Sequence, residues 1–145
     1  MDTGCAFCNK DNIKKQGIIY EDGLCYVIIN EYPISKGNIL VITKRHYRDI
    51  IDAPNKLILH LTLIVKKYAI EIKNIFKPNG LKIIMNVGDA EEIPHLHIHI
   101  IPLYIGTEEP LILTSYKSRR KITESERTEV ITSFKNYEAG KHKTY

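Results

Sequence analysis

The 145-residue sequence has no apolar run long enough to cross a membrane. A spanning helix needs about 18 or more consecutive apolar residues, and the richest stretch, 57–65, is interrupted by His60 and Thr62. Residues 1–5 carry neither the positive charges nor the apolar core of a secretory signal. These absences predict a cytoplasmic protein that neither enters a membrane nor is exported.

Cysteine is scarce, and its count is odd. Three cysteines do not form a complete disulfide framework, so we interpret Cys5 and Cys8 as thiols in a reducing compartment. The formal charge of +4 is a weak excess, which suits an anionic small molecule and does not by itself indicate nucleic acid. We therefore expect a small-molecule ligand, no nucleic acid and no membrane.

Internal repeats, low-complexity tracts and linkers rich in Gly, Ser or Pro are also absent. A length of 145 residues is that of one domain, at about 150 residues per domain. Apolar residues make up 43% of the chain and charged residues 26%, which is typical of a globular protein. We expect one domain over residues 1–105 and a C-terminal extension over 106–145 that packs on it or trails from it.

The first half of the sequence predicts neighbouring β-strands. Two β-rich runs, 17–20 and 25–30, flank Asp22 and Gly23, a pair that predicts a tight hairpin turn with glycine at positive φ. The continuous apolar run 39–43 is typical of a central strand. These strands are expected to pair in an antiparallel sheet.

The second half predicts one long helix and two further strands, 81–87 and 95–102. Apolar residues recur at spacings of three and four from Leu57 to Ile75, which predicts a helix with one apolar face, stopped at Pro78. A capping-box pattern at residues 123–126 indicates a second helix near the C-terminus. The fold class is therefore α+β, an antiparallel sheet of about five strands with one long α-helix packed on it.

Three histidines, His95, His97 and His99, alternate with apolar residues near the end of the predicted sheet. In a strand they would line one face. The outer two would lie about 13 Å apart, too far to bind one zinc ion with ligand distances of about 2 Å, although two of the three could share an ion. The alternative is nucleophilic catalysis, because imidazole attacks phosphorus well near neutral pH.

The segment from His95 to Pro102 resembles the signature of the histidine triad (HIT) family, His-apolar-His-apolar-His followed by apolar residues. The resemblance extends over residues 4–102, where further segments occur in the family's order: 5–8, 28–30, 36–38 and 41–46. The sequence resembles the branch of the family that carries Cys-x-x-Cys. This resemblance implies the family's HIT-like fold.

This resemblance implies a nucleotide hydrolase or transferase that acts at the α-phosphorus of a nucleoside phosphoramidate, an adenylyl conjugate or a dinucleoside polyphosphate. It assigns the nucleophile, which becomes nucleotidylated, to His97. It assigns the α-phosphate contact to His99, and it assigns to the carbonyl of His95 the orientation of the His97 ring. It also implies a homodimer and a purine nucleotide bound by Phe7, Ile28, Asn30, Asn86, Gly88 and His99.

The Cys-x-x-Cys branch further implies a structural zinc ion held by Cys5, Cys8, His46 and His95. A tetrahedral set of two Cys and two His is chemically sensible and would hold the N-terminus against the histidine strand. A redox pair formed by Cys5 and Cys8 is the weaker alternative, because no helix N-terminus is evident there to lower a thiol pKa. A catalytic zinc on the histidines is a third hypothesis.

One segment departs from the family. Where the family commonly has Gly-Gln-Ser or Gly-Gln-Thr, this sequence has the acidic run 89–92, and carboxylates repel a polyphosphate. Glu91 could instead act as a general acid. The departure motivates an alternative function, a nucleotide-binding regulatory or scaffold protein with little turnover. In the tail, Tyr116, Arg119 and Arg120 either close over a substrate or are solvated.

Overall fold

The computed structural model describes residues 4–106 and 116–141, so the predicted extension is described in part. Five strands form one antiparallel sheet: β1 (Ile18–Glu21), β2 (Cys25–Ile29), β3 (Ile39–Thr43), β4 (Gly80–Ile84) and β5 (His97–Leu103). Their spatial order is β1-β2-β3-β5-β4. Three helices accompany the sheet: α1 (Lys10–Gln16), α2 (Asn55–Phe76) and α3 (Glu124–Lys141). The predicted α+β fold is confirmed.

The turn between β1 and β2 differs from the prediction. Gly23 is not among the glycines with positive φ, so the predicted glycine-dependent turn was wrong. Instead, the Asp22 carboxylate accepts hydrogen bonds from the backbone N–H groups of Leu24 at 2.7 Å and Cys25 at 2.9 Å. An aspartate that bonds the backbone just downstream closes a turn without a left-handed residue.

The long helix α2 covers one face of the sheet with an apolar stripe, as predicted. The stripe ends where Lys77 adopts the left-handed conformation, with φ of 49°, just before Pro78. The outer side of α2 leaves Leu59 and Leu63 each 67% exposed. No helix in the described part of the chain combines the length and the apolar character that crossing a membrane requires. The buried residues of the stripe are Leu57, Leu61, Ile64, Val65, Tyr68 and Ile72.

The C-terminal helix α3 begins with the predicted capping box. The backbone N–H of Glu126 donates to the Thr123 hydroxyl at 3.1 Å, and the Glu126 carboxylate accepts from the backbone N–H of Thr123 at 3.4 Å. Phe134 of α3 joins the core under α2. Gly17, with φ of 97°, permits this approach to the sheet, because a Cβ there would lie 2.7 Å from Ile131.

The two faces of the sheet carry different side chains because neighbouring residues of a strand point in opposite directions. The core face, toward α2, includes Val27, Ile29, Val41, Ile98 and Ile100. The opposite face, which we call the histidine face, carries His97 and His99 of β5. Its apolar part is a second cluster that includes Phe7, Ile13, Tyr26, Ile28, Leu40 and Ile42.

Candidate active site

A cluster of two cysteines and two histidines lies at the start of β5. Cys5 Sγ is 3.3 Å from His95 Nδ1, and Cys8 Sγ is 3.2 Å from His46 Nδ1 and 3.5 Å from His95 Nδ1. The four ligand atoms all lie within 4.8 Å of one another. The structure thus brings together the four residues predicted to bind zinc.

The orientation of His95 fits a metal ligand. Its Nε2 lies 2.7 Å from the carbonyl oxygen of Thr43, which can only accept, so Nε2 carries the proton. The neutral ring then directs the lone pair of Nδ1 toward the two sulfur atoms. A tetrahedral zinc with bonds of about 2.0–2.3 Å separates its ligand atoms by about 3.3–3.8 Å, close to the observed sulfur-to-nitrogen distances. The cluster can hold a metal ion.

His97 is held by the residue two positions before it. Its Nδ1 donates to the carbonyl oxygen of His95 at 2.6 Å, so a neutral His97 keeps its lone pair on Nε2. The ring of Phe7 meets the His97 ring edge-on, with centroids 5.1 Å apart. Burial lowers the pKa of His97, which favours the neutral ring at pH 7.

His99 lies beside His97, with ring centroids 5.0 Å apart. Burial, helped by His97 and Arg119, lowers the pKa of His99 to about 3. Its Nδ1 is buried and has no hydrogen-bond partner among the residues that the structure describes. A neutral imidazole with an unused ring nitrogen is suited to bind a polar ligand at this position.

A cavity of about 320 Å³ opens on the histidine face, within the range of about 300–1,000 Å³ that is usual for small-molecule sites. Two of the residues predicted to bind nucleotide do not line it. Ile28 is fully buried in the apolar cluster beside Phe7, and Gly88 only begins the short 3₁₀ turn Gly88–Ala90. The predicted residues in its wall are Phe7, Asn30, Asn86, His97 and His99.

The carboxamide of Asn30, predicted to contact the nucleotide, makes hydrogen bonds through both its nitrogen and its oxygen. Its Nδ2 donates to Asn38 Oδ1 at 3.0 Å, and its Oδ1 accepts from the backbone N–H of Tyr32 at 3.0 Å. Each group retains one further hydrogen-bonding capacity. These bonds hold the side chain in one orientation at the cavity wall.

Sequence reasoning missed α1, which supplies Asn12 and Gln16 to the cavity wall. A signal for this helix exists in the sequence. Asn9 is its N-cap, where its side chain accepts from the backbone N–H groups of Asp11 and Asn12, and Gly17 follows its last residue. This is the usual arrangement of Asn before a helix and Gly after it.

The acidic residues around the cavity are each opposed by a cation. Glu91 lies 3.3 Å from Arg48 and does not line the cavity, while its charge opposes the lowering of the His97 pKa. Its role as a general acid stays a prediction. Glu92 does line the cavity, and its Oε2 lies 4.0 Å from Arg119 Nη2. A third wall residue, Glu31, lies 3.0 Å from Lys121. This pairing reduces the repulsion that the acidic run would exert on a phosphate ligand.

The fold and the histidine arrangement agree with the result of a comparison with protein families. A family model described as the HIT domain matches residues 11–105, more than half of the chain. The chain therefore belongs to the HIT family. Proteins of this family bind nucleotides, which agrees with a small-molecule nucleotide as the ligand class.

Individual relatives support the same membership. The solved structure of a hypothetical histidine triad nucleotide-binding protein from Sulfolobus tokodaii strain 7 superposes with a TM-score of 0.78 at 32% identity, covering 92% of this chain and 91% of that chain. An uncharacterised HIT-like protein of Saccharolobus solfataricus is 28% identical over 120 residues, 81% of this chain and 85% of the relative. AP-4-A phosphorylase of Mycobacterium tuberculosis is 27% identical over 96 residues, 63% of this chain and 49% of the relative.

Proposed function

We propose that the protein is a nucleotide hydrolase or transferase that cleaves its substrate at the α-phosphorus through a nucleotidyl-histidine on His97. The observation that carries this proposal is the 2.6 Å contact between His97 Nδ1 and the carbonyl oxygen of His95. It leaves the lone pair on Nε2 of a residue in the cavity wall. The relative that acts on AP-4-A supports a substrate with a nucleoside phosphate.

The reaction takes two displacements at phosphorus. The lone pair of His97 Nε2 attacks the α-phosphorus, the bond to the leaving group breaks, and the leaving group departs with that electron pair and takes up a proton. Water then attacks the same phosphorus and loses a proton, while Nε2 departs with the electron pair of the nitrogen–phosphorus bond. A second acceptor in place of water would make the reaction a transfer.

The neighbours of His97 have separate roles in this scheme. The carbonyl of His95 stabilises the positive charge that the His97 ring gains when Nε2 bonds to phosphorus, because the Nδ1–H bond then becomes charge-assisted. A ring N–H of the neutral His99 donates to an oxygen of the α-phosphate. Phe7 offers an aromatic surface for the base of the nucleotide.

We also propose a structural zinc ion on Cys5, Cys8, His46 and His95. It would tie the N-terminal segment, which contributes Phe7, to the residue whose carbonyl orients His97. The ion has no part in the displacement steps. The distances among the four residues and the tautomer of His95 support this assignment.

We also propose that the exposed apolar side of α2 forms the interface of a homodimer. Leu59, Leu63 and Ile70 lie on that side and are exposed, with Leu59 and Leu63 one helical turn apart. Sedimentation equilibrium of the wild type and of Leu63→Lys tests the proposal: the variant should sediment as a monomer. A wild type that is monomeric at micromolar concentration would contradict it.

Intact-protein mass spectrometry tests the catalytic proposal. The protein is mixed briefly with an adenosine phosphoramidate or, separately, with a diadenosine polyphosphate, and is quenched without acid. The wild type should gain the mass of one AMP unit, whereas His97→Ala should gain nothing. His60→Ala is the matched control, because His60 is bonded to Asp22 on a different part of the surface and should leave the adduct unchanged.

Two outcomes would contradict the proposal. An adduct on His97→Ala would move the nucleophile to another residue. A wild type that binds AMP but gives neither adduct nor product over hours would favour the nucleotide-binding regulatory or scaffold protein, with Glu92 in the cavity wall as the feature to test next.

A further inference from the structure

Arg119 is a half-buried cation that the described residues neutralise only weakly. Its side chain is only 10% exposed, and its Nε and Nη1 are buried without a hydrogen-bond partner among the residues that the structure describes. Its one ion pair among residues 4–106 and 116–141, to Glu92, spans 4.0 Å, beyond hydrogen-bond length. A buried guanidinium without hydrogen-bond partners is unfavourable unless a ligand supplies them.

The backbone holds Arg119 at the cavity from the C-terminal side. The N–H of Ile122 donates to the carbonyl oxygen of Glu31 at 2.8 Å, and the Lys121 ammonium lies 3.0 Å from the Glu31 carboxylate. Ile122 itself is buried in the core. Arg119 is therefore directed into the cavity by the packed segment that leads into α3.

The next residue, Arg120, has the opposite environment. Its side chain is 69% exposed, and its two terminal nitrogens bond both carboxylate oxygens of Glu126 at 2.8 and 2.9 Å. The two adjacent arginines thus have different environments: Arg120 is paired with Glu126 of α3, while Arg119 has unused donors in the cavity wall. Arg120 is therefore a matched control for substitutions of Arg119.

The position of Arg119 within the cavity indicates which part of a substrate it meets. It lies near His99, whose pKa it helps to lower, and near Glu92, which belongs to the acidic run that replaces the family's polar Gly-Gln-Ser segment. In the scheme above, His97 and His99 hold the α-phosphate. Because Arg119 lines the same cavity near His99, a second phosphate attached to the α-phosphate is the part of a substrate that it would meet.

We propose that Arg119 binds a phosphate of the leaving group, so that the preferred substrates are nucleoside or dinucleoside polyphosphates rather than phosphoramidates. This inference rests on the proposed cleavage at the α-phosphorus. A guanidinium presents parallel N–H donors that match two oxygens of one phosphate. The positive charge also stabilises the phosphate that leaves with an additional negative charge, and it offsets the carboxylate of Glu92.

Ligand binding tests this assignment without turnover. Titration calorimetry measures the affinities of AMP and ADP for His97→Ala, alone and combined with Arg119→Gln or Arg120→Gln. Arg119→Gln should weaken ADP about tenfold or more and leave AMP within about twofold, because a charge-assisted hydrogen bond to the β-phosphate is lost. Arg120→Gln should change neither affinity. Equal loss for AMP and ADP, or no loss for either, would overturn the assignment.

Turnover then tests the specificity. In the otherwise wild-type protein, Arg119→Gln should lower kcat/KM for diadenosine tetraphosphate about tenfold or more and change kcat/KM for adenosine phosphoramidate by less than about twofold. Arg119→Lys, which keeps the charge without the paired donors, should fall between. A uniform loss for both substrates would mean that Arg119 only supports the fold.

The two proposals fail in different ways. If the wild type turns over both substrates and Arg119→Gln does not alter their ratio, the role of Arg119 is wrong and the function of His97 stands. If the wild type forms no adduct and no product, the catalytic proposal is wrong. The AMP and ADP affinities still decide whether Arg119 binds the second phosphate. Melting temperatures of each variant confirm that it is folded.

Discussion

The two faces of the sheet are built by the same strands and have opposite chemistry. On the core face, Val41 and Ile98 pack under α2 with apolar neighbours. On the histidine face, one residue further along each strand, Ile42 lies in the second apolar cluster and His99 lies beside a cavity. The alternation that makes one face a core therefore delivers reactive side chains to the other.

Neighbouring residues of one strand therefore serve different purposes: one stabilises the fold, and the next presents a reactive group to the cavity. A residue of β5 that faces α2 contributes buried apolar area, whereas its neighbour contributes a ring nitrogen. Substitutions one position apart should therefore have effects of different kinds.

The largest effect is expected from the zinc ligands on the histidine face. Cys8→Ser should lose the metal and lower the free energy of unfolding by more than about 5 kcal/mol at saturating zinc. Val41→Ala is the control, since Val41 lies on the core face and has no side-chain atom that could bind zinc. Elemental analysis should find one zinc per chain in the control and none in Cys8→Ser. Retained zinc in Cys8→Ser would contradict the ligand set.

An intermediate effect is expected at Ile98, between the two histidines of β5. Ile98→Ala removes buried apolar volume from the core face and should lower the free energy of unfolding by about 2–5 kcal/mol, with Ile98→Val at about 0.5–1.5 kcal/mol. Urea unfolding measures both. Activity per folded molecule should stay within about threefold of the wild type, in contrast to the complete loss expected for His97→Ala.

Two results would show that the two faces of the sheet do not divide stability and activity between them. A tenfold loss of activity in Ile98→Val under conditions where the protein is fully folded would mean that packing on the core face sets the position of His97. Unfolding of His97→Ala would mean that the histidine face also carries much of the stability.

An effect that depends on pH is expected at Glu71, a buried carboxylate of α2. Burial, together with the neighbouring carboxylate of Glu138, raises the pKa of Glu71 to about 7, while Lys141 and Lys67 oppose the shift. The folded protein thus keeps a proton that the unfolded chain releases near its ordinary pKa of 4.5. Stability should fall by up to about 1.4 kcal/mol per pH unit as the pH rises through this window.

Glu71→Gln removes this titration. The variant should melt above the wild type at pH 8 and close to it at pH 5, where the wild-type carboxyl is already protonated. Glu129→Gln is the control, because Glu129 is exposed and paired with Lys36, an interaction worth less than about 1 kcal/mol. A lower melting temperature for Glu71→Gln at pH 8 would show that the carboxylate is stabilising there.

The sequence predicted a strand or a helix well where a single local pattern, such as an apolar run or a regular apolar spacing, dominated. The continuous β-branched run at 39–43 became β3 with the same bounds, and the apolar spacing from Leu57 to Ile75 became α2. The predicted strand 81–87 ends at Ile84, where its pairing with His99 ends. The helix α1 was missed because its only buried apolar residue is Ile13, which gives almost no periodicity.

The cavity wall was harder to predict because it depends on contacts between distant segments. Nothing local distinguishes Arg119 from Arg120, and only the tertiary structure buries one and pairs the other. Ile28 was expected at the nucleotide and lies one layer below, since an apolar residue in a strand cannot be assigned to a pocket or to the core beneath it by pattern alone. The catalytic roles of His97 and His99 and the domain division at residue 105 stay predictions.

The proposed metal site also has a consequence for the time course of synthesis. Cys5 and His95 are 90 residues apart in sequence and 3.3 Å apart in space. As the chain leaves the ribosome, Cys5 emerges 90 residues before His95, so the two cysteines remain without that ligand until the intervening segment has been made. The complete ligand set therefore forms late, after the strands β1 to β4 are available, and the N-terminal thiols stay exposed to oxidants and to competing metals until then.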